Sequence, residues 1–262
     1  LERQALMPQG LRAGIDIRWR TWGSGPAPLL MLHCGLGNSG LWAPVAEAVV
    51  DRYRCTAPDW PGHGRSAPFR DGESVHDQAA AVASTFLEDG HWLIGHSFGA
   101  TVALRLALEQ PSRIAGLVLI ESVYFAAAKG TGAWDAHEAE RRVWTERWHA
   151  GDQTGGAKGF HAQWGDGPWE DVPEAVQDRM AARMGFVIAS ETGLAEDPAG
   201  LLAPGRLEAL DLPVILIRGA HSRPIIAAVH DVLACRLRHC RSLTVDGAGH
   251  MVPVTHPEPV IA

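Results

Sequence analysis

The run His91–Pro111, "HWLIGHSFGATVALRLALEQP", decides how the rest of the chain is read. Its first seven residues are mostly apolar and short, the mark of a strand buried on both faces. The residues from Phe98 on are apolar with helix-forming character and stop at Pro111. Between them, "GHSFG" (95–99) follows the pattern G-x-S-x-G. A strand that turns at once into a helix leaves no room for side chains at Gly95 and Gly99, and Ser97 sits on a strained, exposed corner. Its hydroxyl then lies at a helix N-terminus, where the dipole and free N–H groups favour developing negative charge. A helix-capping serine in an inert loop is the bland alternative, and the strand before and helix behind weigh against it.

Working outward, strands and helices alternate. "GIDIRWRTWG" (14–23) alternates Ile15, Ile17 and Trp19 with polar neighbours, as a half-buried strand does. "LLMLHCG" (29–35) is a buried strand, "LWAPVAEAVV" a helix, and "YRCTAPDWPGHGRS" (53–66) a short strand with a turn-rich loop. "SVHDQAAAVASTFLED" (74–89) has helical spacing with Ser74 as cap. "IAGLVLIES" (114–122), "LPVILIRG" (212–219) and "RSLTVDG" (241–247) read as strands, with a helix over 222–237. This alternation implies an α/β fold with a mostly parallel sheet covered on both faces. Residues 123–205 break the rhythm. They read as helices rich in Trp, Arg and Glu, and five of the ten tryptophans fall between 134 and 169. The simplest division is a core of 1–122 and 206–262 with a helical cap of 123–205 inserted over the carboxyl edge, where ligands bind in open α/β sheets.

The bulk numbers narrow the function. The 262 residues suit one large domain, with 46% apolar and 20% charged residues. A net charge of -7 disfavours nucleic acid or an anionic membrane as partner. No apolar run approaches a membrane span, and the opening "LERQALMPQG" lacks a leader-like apolar stretch, so a cytoplasmic location is expected. Cys34, Cys55, Cys235 and Cys240 show no CxxC pair and read as buried free thiols. Thirteen histidines show no ligand spacing such as HExxH, so no metal is expected.

Four motifs in order, "LHCGLG", "DWPGHGRS", "GHSFGA" and "GAGHMVP", resemble those of the α/β-hydrolase fold superfamily, in its lidded single-domain serine form. The resemblance covers nearly the whole chain. It implies Ser97 as nucleophile and His250, in "DGAGHMVP" (246–253), as the base that a serine hydroxyl needs. It also implies an oxyanion hole from the Phe98 amide and a second amide after the third strand, on Gly35 or Leu36. "DWPGHGRS" would form a loop beneath the site, held by Asp59, with His33 and His63 bonding loop backbone. His96, Trp144, Trp148 and Trp164 are candidates to line the pocket. The tryptophans have the plainer alternative of packing the cap.

One position departs from the pattern. Most relatives carry the triad acid after the penultimate strand, where this chain reads "IRGAHSRPI" (217–225) and has Ser222. No Asp or Glu lies between Asp211 and Asp231. Glu121, at the carboxyl end of "GLVLIES", is the preferred substitute and keeps the chain order Ser, acid, His. Asp246 and an acid-less protein are the alternatives. The expected function is cleavage of a carboxylic ester or related acyl bond of a small apolar substrate, with no cofactor. A hydrolase-fold ligand receptor, a cofactor-free haloperoxidase-like enzyme and a carbon–carbon bond hydrolase stay open, as does a homodimer.

Overall fold

A computed structural model describes residues 5–262. The first four residues of the segment read above for a leader lie outside it. Strands β1 (Gln9–Arg12), β2 (Ile15–Trp22) and β3 (Ala27–Leu32) come first, followed by α1 (Ala43–Val49), β4 (Tyr53–Pro58) and α2 (Val75–Ser84). Then come β5 (His91–His96), α3 (Phe98–Glu109) and β6 (Ile114–Ile120). Helices α4 (Gly132–His149), α5 (Gln153–Trp164) and α6 (Glu174–Ala195) precede β7 (Val214–Gly219). The chain ends with α7 (Pro224–Arg236), β8 (Cys240–Val245) and two short helices, α8 (Val252–Thr255) and α9 (Glu258–Ile261).

The eight strands form one sheet in the order β1-β2-β4-β3-β5-β6-β7-β8. The pairs from β4 through β8 are parallel, while β1–β2 and β2–β4 are antiparallel. The apolar runs account for this, since both faces of the central strands are covered. One face packs on α2, α3 and α7 through Leu30, Leu93, Leu104, Leu117 and Val229. The other packs on α1 through Met31, Trp42, Val45, Ile94 and Ile217. Each such aliphatic side chain contributes about 1.5–3 kcal/mol by burial.

One strand was not foreseen and three expectations needed correction. Strand β1 has no apolar alternation, and its Leu11 is exposed; it is an edge strand held by pairing with β2. Helix α2 stops at Ser84, although Ser74 does cap it by accepting from Asp77 N–H. The "LWAPVAEAVV" helix begins with a 3-10 turn, Ser39–Trp42. Cys34 and Cys55 are buried, but Cys235 is exposed and Cys240 half-buried; all four are free thiols. Among the described residues no helix is long and apolar enough to cross a membrane.

Candidate active site

The carboxyl ends of β3, β5, β6, β7 and β8 carry Gly35, Ser97, Glu121, Ser222 and His250 in turn. Ser97 occupies the corner between β5 and α3 with φ 56° and ψ -116°, a conformation that strains a residue with a Cβ. The two glycines let the corner close. A Cβ on Gly99 would lie 2.0 Å from the Leu32 carbonyl oxygen, and one on Gly95 2.3 Å from that of Gly99. Ser97 N–H donates to the Ile120 carbonyl at 2.9 Å, which ties the corner to β6.

His250 stands against Ser97, with Nε2 3.0 Å from the hydroxyl oxygen. Its Nδ1 faces Glu121 Oε2 at 2.9 Å, and Glu121 is fully buried. Asp246 is exposed at the start of the same loop. Glu121 Oε1 accepts from Gly219 N–H at 2.7 Å and from the Ser222 hydroxyl at 2.6 Å. Three donors thus converge on one carboxylate. Ser222 has a part of its own: from the loop after β7 its hydroxyl holds the carboxylate that stands at the end of β6. Reading the sequence missed this because it sought a charge at 222 and took no account of a hydroxyl.

Glu121 itself has φ 52°. The surrounding bonds hold that strain: Glu121 N–H donates to the Ile217 carbonyl, and Ser122 N–H to His230 Nε2 at 3.0 Å. An N–H can only donate, so His230 Nε2 is unprotonated. Burial pushes His230 down to about 4, which keeps it neutral beside the carboxylate.

Gly35 and Phe98 both line the cavity above Ser97. Phe98 opens α3, so its N–H has no intrahelical acceptor. Leu36 departs from expectation. Its side chain lines the cavity, but its N–H donates to His63 Nε2 at 3.1 Å, since its φ of 61° turns the amide toward that ring. Gly35 is left as the candidate for the second amide. The loop beneath is held as expected. Asp59 Oδ1 accepts from Ser39 N–H at 2.6 Å, and His33 Nε2 accepts from Trp60 N–H at 3.1 Å. Burial pushes His33 and His63 down to about 3, and pushes the Cys34 thiol up to about 12, so Cys34 is an inert packing group.

The cavity has a volume of about 600 Å³ and lies between the sheet edge and α4, α5 and α6. Trp144 and Trp164 line it, together with Trp134, Phe125 and Phe186. The Trp164 ring lies 4.8 Å from that of His250. Two pocket candidates lie elsewhere. His96 is buried off the cavity wall, because alternation along β5 turns it away from Ser97's side. There His96 Nε2 donates to the His250 carbonyl at 2.8 Å, and burial with the neighbouring His250 lowers it to about 3. Trp148 lies one turn beyond Trp144 and packs between α5 and α6, close to Gly156 and Gly185.

The wall also holds polar groups that the sequence reading passed over. Arg141 donates to both Glu138 oxygens at 2.8 Å and to Glu191 Oε2 at 2.7 Å. Beside them His137 lies buried against Phe125 and Trp164. The spacing of 134, 137, 141 and 144 on one helical face was the signal that could have grouped them. Among the described residues no cluster of His, Cys, Asp and Glu fits a metal ion.

Comparison with known proteins places the chain among hydrolases by similarity. The chain is 33% identical over 123 residues to the dihydrolipoyllysine-residue acetyltransferase component of the acetoin cleaving system of Cupriavidus necator, covering 45% of this chain and 33% of that protein. It is 33% identical over 131 residues to a pimeloyl-[acyl-carrier protein] methyl ester esterase of Nitrosomonas europaea, covering 50% of this chain and 51% of that protein. The chain therefore spans between a third and about half of the length of these relatives. Carboxylesterase CesB of Bacillus subtilis superposes with a TM-score of 0.71 at 20% identity, over 98% of this chain and 89% of that one, a likeness of fold. The model of the alpha/beta hydrolase fold family matches residues 27–257, and with the strand order and the strand–serine–helix corner already in view, the chain belongs to that family.

Proposed function

We propose that the protein is a serine hydrolase that cleaves a carboxylic ester of a small, largely apolar substrate through an acyl-enzyme on Ser97. One observation carries the reading: the unbroken hydrogen-bonded line Ser97–His250–Glu121 at the floor of an apolar-walled cavity. Glu121 accepts the Nδ1 proton, which leaves Nε2 free to take the proton of the Ser97 hydroxyl as its oxygen attacks the ester carbonyl. The Phe98 and Gly35 amides stabilise the oxyanion, and the N-terminus of α3 adds its dipole. The imidazolium protonates the departing alkoxide, and a water activated by the same ring then releases the acid. Helices α4–α6 act as a cap that keeps water from the acyl group and supplies aromatic walls. No cofactor takes part. The relative named as a methyl ester esterase supports an ester over other acyl bonds.

The test is labelling by a fluorophosphonate together with a screen of aryl and alkyl esters. Wild-type protein should label at Ser97 and turn over esters, and Ser97→Ala should do neither. A protein that neither labels nor hydrolyses would be a ligand receptor instead.

A further inference from the structure

The cavity wall carries a buried imidazole with one nitrogen unpartnered among the described residues, and its proton can be located by elimination. Trp144 Nε1 is a donor only, and it bonds Gln163 Oε1 at 2.8 Å. That fixes which end of the Gln163 amide is oxygen. Its NH₂ group therefore faces His137 Nδ1 at 3.1 Å, and Nδ1 must accept. With Nδ1 unprotonated, the neutral ring carries its proton on Nε2. Nε2 has no hydrogen-bond partner among the described residues, although His137 is only 4% exposed and lines the cavity. A buried donor without an acceptor costs about 1–3 kcal/mol. The ring is held in this orientation: it packs tilted against Phe125 at 4.2 Å and edge-on to Trp164 at 5.7 Å, and Gln163 is itself buried.

We propose that His137 Nε2–H is a specificity-determining donor that binds an uncharged oxygen acceptor, a ketone, ester or ether oxygen, on the part of the substrate remote from the bond cleaved. The inference rests on the hydrolase reading for its substrate but not for its contact. Placement supports it: Trp164 touches both His250 and His137, so one indole separates the reacting centre from the donor. A substrate lying along that indole reaches both. Charge decides the kind of acceptor. Because Nδ1 accepts from Gln163, the ring is neutral and offers a carboxylate a hydrogen bond without a counter-charge. Burial lowers His137 to about 4, so at neutral pH the ring offers a hydrogen bond and no charge. A site with a committed donor also disfavours the plain hydrocarbon chain, which would leave Nε2–H unpaired.

The experiment uses methyl esters in pairs. One member has a keto oxygen in place of a methylene, walked along the acyl chain; the other is its all-methylene counterpart. Binding to Ser97→Ala protein is read from quenching of tryptophan fluorescence, so turnover plays no part. At one position of the walk the keto ester should bind about tenfold more tightly than its counterpart, the worth of one buried hydrogen bond. His137→Phe, which keeps a ring between Phe125 and Trp164, should bind both alike. His137→Gln, whose amide nitrogen can stand near the place of Nε2, should restore part of the preference. Equal binding of every pair, binding of neither member, or a preference that survives His137→Phe would overturn the proposal. Hydrolysis of the same esters by the wild type is scored separately. A protein that prefers the keto ester yet cleaves nothing would sink the esterase reading and leave this contact standing.

Discussion

Replacing Glu121 by Gln separates the charge of this carboxylate from its shape. In the native site Gly219 N–H reaches Oε1, and an N–H can only donate. The glutamine must therefore turn its carbonyl oxygen to Gly219 and Ser222 and its NH₂ group to His250 Nδ1. Nδ1 then becomes the acceptor, the ring proton moves to Nε2, and the Ser97 hydroxyl loses the base it had at 3.0 Å. The charge that stabilised the imidazolium is lost as well. A wrong tautomer of this kind costs about 10⁴ in turnover, or about 5.5 kcal/mol at about 1.4 kcal/mol per tenfold. The fold should hardly notice, because the side chain keeps its volume and its two bonds to the β7 loop. We expect kcat on a 4-nitrophenyl ester to fall about 10⁴-fold while KM and Tm stay near wild type. The assay is initial-rate kinetics beside a thermal melt. A folded Glu121→Gln protein within tenfold of wild-type kcat would refute the reasoning.

Three further outcomes are expected. Glu121→Ala should lose at least as much activity, and adding Ser222→Asp should recover tenfold or more, since Ser222 Oγ already stands 2.6 Å from the lost carboxylate; no recovery would show that the loop cannot supply the acid. Acid should destabilise the protein early. Burial lowers His33, His63 and His96 to about 3 and His76, His137 and His230 to about 4, below the ordinary 6.5. The unfolded chain therefore takes up these protons first, so their stabilisation is complete above about pH 6.5 and fades as pH falls toward 4 and 3. Each contributes about 1.4 kcal/mol per pH unit within that window, and urea midpoints that stay flat from pH 7 to 5 would contradict this. Gly99→Ala should lower Tm by roughly 5–10 °C, because its Cβ would meet backbone at Leu32 and His33. Gly132→Ala, with open space around its Cβ, is the control and should leave Tm unchanged or slightly raised.

Most of the sheet was legible because buried parallel strands are short apolar runs, and β5, β6 and β7 have that form. Strand β1 was not, since an edge strand held by backbone pairing leaves no apolar signature. The serine corner was legible from its two glycines, and the closeness of Ser97, Glu121 and His250 from strand order, because parallel strands deliver their carboxyl ends to one edge. What escaped was side-chain direction. His96 and Trp148 are adjacent in sequence or spacing to residues that line the cavity, yet strand alternation and the length of α4 turn them elsewhere. The contacts of Ser222 and His137 depend on pairings across about a hundred residues and across two helices, which no local pattern encodes.

The position of Glu121 has a consequence for modularity. With the carboxylate at the end of β6, the last core residue before the inserted segment, Ser122, is covalently attached to it and anchored through His230. An exchange of inserted helices between relatives must therefore join downstream of Ser122 and rejoin before Val214. A chimaera crossing over before Glu121 would carry in a foreign residue at the position of the carboxylate, and one that rejoined beyond a donor-less residue at 222 would leave Glu121 without the Ser222 hydroxyl. On the proposed reading the seam of this molecule lies inside its catalytic floor, so recombining its parts would also recombine its chemistry.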